Sequence, residues 1–251
     1  MQKSKKMGKN TTYQKRVIDI HSHILPGVDD GAKSIDETIE MLRIAWHEGI
    51  TDMIVTPHYQ SGRYFTQAEK IKEKVNYIQS LAKDNHIPVR LYPGTEVYFR
   101  SGLEERLDSG QLATMNGSGY MLVEFSPIGE FTYIRNAAEE ILGLGYTPIL
   151  AHIERFRCMR EDINRVKELK NMGCHIQANA GSITGDCGFG TKRYMNKLLK
   201  EHLIDYIGTD AHNTCGRAPH AKKCAELLHR KYGEEYAECV LYKNAEKNLL
   251  K

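Results

Sequence analysis

Asp19, His21 and His23 alternate along the run Ile18-Asp-Ile-His-Ser-His23, and a turn carrying Asp29, Asp30 and Gly31 follows within eight residues. In an extended strand successive side chains take opposite faces, so these three polar groups share one face and Ile18 and Ile20 the other. Burying two imidazoles and a carboxylate together is costly unless something ligates them, and a metal ion does so. Two histidines one residue apart are by themselves more often structural than functional. The Asp29-Asp30 pair tips the reading towards a site.

Comparable residues end other extended runs. His58 follows Met53–Val55, Glu96 follows Val89–Tyr92, and Glu124 follows Tyr120–Val123. His152 follows Thr147–Ala151, while Asp210 and His212 follow Ile204–Ile207. With His175–Ala178 these make seven strand-like runs, each followed by a helical pattern. Ser34–Glu37 and Thr66–Glu69 read as capping boxes opening two of the helices. Alternating strand and helix predicts a parallel α/β fold, and the length suits a TIM-like (β/α)7 barrel better than a doubly wound sheet. In such a barrel the C-terminal strand ends converge on one face, so residues scattered from 21 to 212 are aimed at one point.

Five imidazoles and at least four carboxylates exceed the needs of a single catalytic zinc. The mixed set suits manganese, iron or zinc, and the lack of cysteine there argues against structural zinc. A glutamate can bridge two ions spaced for phosphoryl transfer. Arg155, in His152-Ile-Glu-Arg155, and Arg217, in Thr214-Cys-Gly-Arg217, lie on the same loops, where a guanidinium fork can hold phosphate oxygens. Arg63 and Arg157 are nearby but less compelling. His47 and His86 read as surface residues, His202, His220 and His229 as structural, and His175 stands at the wrong end of its strand. Cys187–Arg193 fits the C-x5-R phosphate loop of cysteine phosphatases. It lacks the strand and histidine that chemistry needs, and Asp186 before it would raise the thiol pKa.

The chain has 251 residues and a formal net charge of +3. Six of its basic residues fall in the first sixteen positions, which hold no acid, so the remainder is slightly acidic. Residues 1–16 are expected to be a disordered basic extension and 17–251 one catalytic domain. An acidic body excludes a nucleic-acid-binding domain, and no apolar run suggests a signal peptide or membrane insertion. Six cysteines without a C-x-x-C pair point to a reducing, cytoplasmic setting.

Taken together, Asp19-x-His21-x-His23, the Asp29-Asp30-Gly31 turn, Thr56-Pro-His58, Gly94-Thr-Glu96, Val123-Glu124-Phe125, Ala151-His-Ile-Glu-Arg155 and Asp210-x-His212 resemble the PHP (polymerase and histidinol phosphatase) superfamily. The Asp-Asp-Gly turn and the His-Ile-Glu-Arg segment are similar to its branch of capsule-type, metal-dependent bacterial protein-tyrosine phosphatases. The resemblance runs from Val17 to the C-terminus and implies a distorted (β/α)7 barrel holding three divalent ions, usually manganese. It implies His21, His23, Glu96 and Asp210 on one ion, Glu96, Glu124 and His152 on a second, and Asp30, His58 and His212 on a third. Arg155 and Arg217 match the phosphate-binding arginines. The implied partner is the tyrosine-rich tail of an autophosphorylating bacterial tyrosine kinase that controls capsule or exopolysaccharide synthesis. The alternatives are a small-molecule phosphatase on the same barrel, acting for example on histidinol phosphate, and a non-catalytic binder of phosphotyrosine.

Overall fold

The computed structural model describes residues 16–251. The basic extension expected over residues 1–16 lies outside these, apart from Arg16. That residue is engaged: its guanidinium donates to Thr51 Oγ1 at 3.2 Å, Asp52 Oδ2 at 3.3 Å and Glu246 Oε1 at 2.8 Å.

Among the described residues nine short parallel strands fill seven barrel positions. They are β1 (Val17–Asp19), β2 (Ile50–Val55), β3 (His58–Tyr59), β4 (Arg90–Pro93), β5 (Glu96–Tyr98), β6 (Tyr120–Glu124), β7 (Thr147–Leu150), β8 (His175–Asn179) and β9 (Tyr206–Gly208). Pairing runs β1-β2-β4 in one sheet and β3-β5-β6-β7-β8-β9 in the other. Two positions expected to be continuous are each split, β2 from β3 at Thr56-Pro57 and β4 from β5 at Gly94-Thr95. Proline has no N–H to offer the ladder. Thr56 N still donates to Ser22 O at 2.8 Å and Gly94 N to Val55 O at 2.9 Å, the last rungs of the first sheet before the chain enters the second. Gly94 has no room for a side chain, since a Cβ would lie 2.9 Å from Ile54 Cγ2. These breaks distort the barrel.

A short seam closes it. Ser22 bridges Ala211 in parallel, with Asp210 N donating to His21 O and His23 N to Ala211 O, both at 2.8 Å. The strand interior is filled by Ile18, Ile20, Ile54, Leu122, Ile149 and Tyr206, with Leu249 from the C-terminal segment packed against them. A second, larger core lies between strands and helices, fed by the apolar stripes of α1 (Ile35–His47), α2 (Ala68–Asp84), α3 (Phe131–Gly143) and later helices. Ser34 caps α1, its Oγ accepting from Glu37 N at 3.2 Å. The second expected capping box does not form: α2 opens at Ala68 behind Gln67, with no side-chain cap. Residues Ala180–Thr184, ahead of Cys187, form a short helix and not a strand.

Candidate metal centre

At the seam face β1 ends at Asp19, and the Ser22–Ala211 bridge carries the extended chain on past His21 to His23, which point to the side opposite Ile18 and Ile20. Asp19 turns to the end of β9, accepting from Thr209 N at 2.9 Å, from Thr209 Oγ1 and from His21 N at 3.2 Å. Burial pushes its carboxyl up to about 6 against those hydrogen bonds. His21 and His23 follow, fully buried, with their Nε2 atoms 3.1 Å apart. Gly208 makes room for His21: a Cβ there would stand 2.7 Å from His21 Cβ. Gly31 is equally obligatory, since a Cβ would sit 2.0 Å from His23 O, where the Asp29-Asp30 turn folds back.

Glu96 is the hub. Its Oε2 lies 3.0 Å from His21 Nε2, 3.2 Å from His23 Nε2 and 3.0 Å from His58 Nδ1, and its Oε1 lies 2.9 Å from His152 Nε2. Glu124 approaches His58 Nδ1 at 3.2 Å and His152 Nε2 at 3.7 Å. Asp30 lies 3.5 Å from His58 Nε2 and 3.7 Å from His212 Nε2. Asp210 Oδ1 lies 3.6 Å from His21 Nε2 and 3.5 Å from His23 Nε2. All nine ligand-type residues expected from the sequence are therefore brought together. His58 faces both the Glu96–Glu124 pair and the Asp30–His212 pair through its two ring nitrogens. Ligand-type atoms of His23, Asp30, His58 and His212 form one group, those of His21, His23 and Glu96 another, and those of His58, Glu96 and Glu124 a third.

Unpartnered buried atoms in the cluster fit divalent cations. Glu96 Oε2 and His212 Nε2 are buried with no hydrogen bond, although three imidazole nitrogens crowd the former. Such atoms are costly unless a cation completes them. Burial opposes a charged His23, yet the Asp29 hydrogen bond at 2.7 Å and Glu96 push its pKa up to about 10. Burial and the neighbouring His23 charge push His212 down to about 3. Burial opposes ionisation of Asp210 too, but His21, Arg155 and His152 hold its carboxyl far below the usual range. His152 and Asp210 also take positive φ, 31° and 55°, a conformation side chains other than glycine rarely adopt and one that clusters at functional sites.

Arg155 and Arg217 both reach this centre. Arg155 Nη2 donates to Asp210 Oδ2, and Arg217 Nη2 to Asp210 Oδ1 at 2.9 Å. Each guanidinium side chain is 41% exposed, leaving N–H groups free for an anion. Two supporting partners, Gln177 and Asn179, escaped the sequence reading, and they join Asp29 of the turn. Gln177 Oε1 accepts from His152 N at 2.6 Å and lies 3.3 Å from His21 Nδ1. Asn179 Nδ2 donates to Asp210 Oδ2 at 3.0 Å, and Asp29 holds His23 Nδ1. These fix ring and carboxylate orientation around the ligand set. The period-two spacing of Gln177 and Asn179 on β8 was the available signal. By contrast, Cys187 is exposed, near Ser182 Oγ at 3.5 Å, with no strand leading into it. His175 packs between Tyr120 and Tyr206, away from the ligand set.

The family described as "Capsular polysaccharide synthesis, CpsB/CapC" matches residues 17–250. Tyrosine-protein phosphatase CpsB of Streptococcus pneumoniae is 33% identical over 239 residues, covering 93% of this chain and 98% of that protein. A crystal structure described under YwqE of Bacillus subtilis and CpsB of S. pneumoniae, as metal-dependent tyrosine phosphatases, superposes with a TM-score of 0.87 at 33% identity. It covers 93% of this chain and 94% of its own. Histidinol phosphate phosphatase of Lactococcus lactis gives a TM-score of 0.55 at 13% identity, over 87% of this chain and 94% of its own, a likeness of fold alone. Similarity of this order over almost the whole barrel leaves one assignment: the chain belongs to the CpsB/CapC family of capsular polysaccharide synthesis.

Proposed function

We propose that the protein is a metal-dependent protein-tyrosine phosphatase. Its site is built on His21, His23, Asp30, His58, Glu96, Glu124, His152, Asp210 and His212, with Arg155 and Arg217 for the phosphoryl group. The observation that carries this is the convergence of four imidazoles, His21, His23, His58 and His152, on the buried Glu96 carboxylate, in a chain of this family. Divalent ions, which we take as three and as manganese, supply Lewis acidity and an activated water when bound. The protein's own groups do the rest. Glu96 presents one oxygen to His21, His23 and His58 and the other to His152, so it spans two parts of the ligand set. Gln177 and Asp29 hold the rings of His21 and His23 by their second nitrogens. The free N–H groups of Arg155 and Arg217 bind phosphoryl oxygens and stabilise the charge that redistributes over them.

The substrate we infer is phosphotyrosine on the tyrosine-rich tail of an autophosphorylating bacterial kinase governing capsule or exopolysaccharide assembly, met in the cytoplasm. No helix among the described residues is long and apolar enough to cross a membrane. The test is hydrolysis of a phosphotyrosine peptide and of histidinol phosphate side by side. Turnover of the peptide should vanish with EDTA and return with Mn2+, and Cys187→Ser should match the wild type. Faster turnover of histidinol phosphate would reassign the substrate. Loss of turnover in a folded Cys187→Ser protein would sink the metal mechanism.

A further inference from the structure

The loop after β3 is built more tightly than a surface connection requires. Gln60 N donates to Tyr64 O and Tyr64 N to Gln60 O, both at 2.9 Å, and Arg63 N donates to the same Gln60 carbonyl at 2.9 Å. Gly62, at φ 82°, lets the chain turn between them. The closed turn holds Tyr64 parallel to the His58 imidazole, with centroids 5.7 Å apart and planes at 15°. Arg63 lies over the Tyr64 ring at 4.8 Å and forms no ion pair among the described residues. Phe65 touches Tyr59 edge-on at 5.8 Å but stays 54% exposed. The Tyr64 ring, with an unneutralised guanidinium over it, thus stands beside an imidazole that contacts Glu96, and the exposed Phe65 ring follows it in the same loop.

We propose that this loop, Gln60–Phe65, is the wall that receives the phenyl ring of the substrate, with Tyr64 and Phe65 as its specificity-determining residues. The proposal rests on the phosphotyrosine reading above and names what selects the aryl ester. In an aryl phosphate a single bridging oxygen separates phosphorus from the ring. A phosphoryl group held at the ligand cluster therefore places its ring against the side chains that immediately surround that cluster. Tyr64 is one of these, and offset or edge-on contact between rings is favourable beyond the area it buries. The Arg63 cation adds attraction for the dianionic ester without competing for the ions. An alkyl phosphate or free phosphate gains nothing from the wall.

The experiment measures inhibition of phosphotyrosine-peptide hydrolysis by the Mn2+-loaded enzyme, using phenylphosphonate and inorganic phosphate as probes. The wild type should bind phenylphosphonate more tightly than phosphate. Phe65→Ser and Tyr64→Leu should each weaken phenylphosphonate by about tenfold, the order expected for one lost ring contact. Phosphate inhibition should shift far less, and Tyr64→Phe, which keeps the ring, should restore phenylphosphonate. Metal analysis of each variant separates this from damage to the ligand set through His58. A wild type that binds both probes equally, or variants that weaken both alike, would overturn the wall. Absence of any wild-type turnover of the peptide would instead remove the phosphatase reading itself, and this inference with it.

Discussion

Asp210 accepts from Arg155, Arg217 and Asn179 while its Oδ1 also approaches His21 and His23. The two guanidinia therefore stand between the ligand cluster and solvent, positioned by a carboxylate that belongs to the cluster. Arg217→Ala should keep its metal content, because Arg155 and Asn179 still hold the other Asp210 oxygen. It should lose kcat/KM on a phosphotyrosine peptide by on the order of 10²- to 10³-fold, about 2–4 kcal/mol of transition-state stabilisation. Lysine should rescue poorly, since a point charge cannot reproduce a planar fork. Unchanged kcat/KM in the alanine variant would take Arg217 out of the site, and loss of metal would make it a structural partner of Asp210. The residues that meet here were legible in the sequence because histidines and carboxylates at strand ends are rare enough to stand out. Their supporting amides and glycines were not. Gln177, Asn179 and Gly208 matter only through what lies opposite them across the barrel, and one sequence does not show that.

At the scale of elements, the order of strands and helices could be read from hydrophobic periodicity, and the splits in two strands could not. Pro57 and Gly94 were visible, but whether a ladder breaks or bends at them depends on neighbours such as Ile54. The opposite end of β2 shows a different dependence. Asp52, fully buried there, accepts from Arg90 Nη2 at 2.7 Å, Thr51 Oγ1 at 2.7 Å, Tyr92 Oη at 3.2 Å and Arg16 Nη2 at 3.3 Å. Burial opposes its ionisation, but the Arg90 and Thr51 hydrogen bonds outweigh burial and lower its pKa. A depressed carboxyl stabilises the fold above the unfolded pKa of about 3.9 and ceases to do so as pH falls through the folded value. The melting temperature should accordingly drop on acidification below about pH 4. Asp52→Asn should melt lower at pH 7, by about 1–3 kcal/mol of stability, because it leaves charged partners around a neutral group. It should also show a shallower acid dependence. Equal acid slopes for the two proteins would assign the transition to other carboxylates.

Across the whole molecule, the ligand-type residues run from His21 to His212, and the barrel closes at the seam where Ser22 meets Ala211 and Asp19 meets Thr209. Contacts between such distant parts of a chain form late, because loop closure must precede them. Refolding from denaturant should therefore regain helical circular dichroism before it regains metal uptake and turnover, and uptake should follow the slower phase. Uptake that keeps pace with the helical signal would show that a partial set of strands already holds the ions. Time thus enters the design of this centre. During synthesis the first two histidines emerge long before Asp210 and His212, so a growing chain carries half a chelate and no barrel. If uptake follows the slower phase, the seam makes possession of metal a sign that translation has passed the last strand, since a chain cut short before residue 206 lacks β9 and the Ser22–Ala211 bridge.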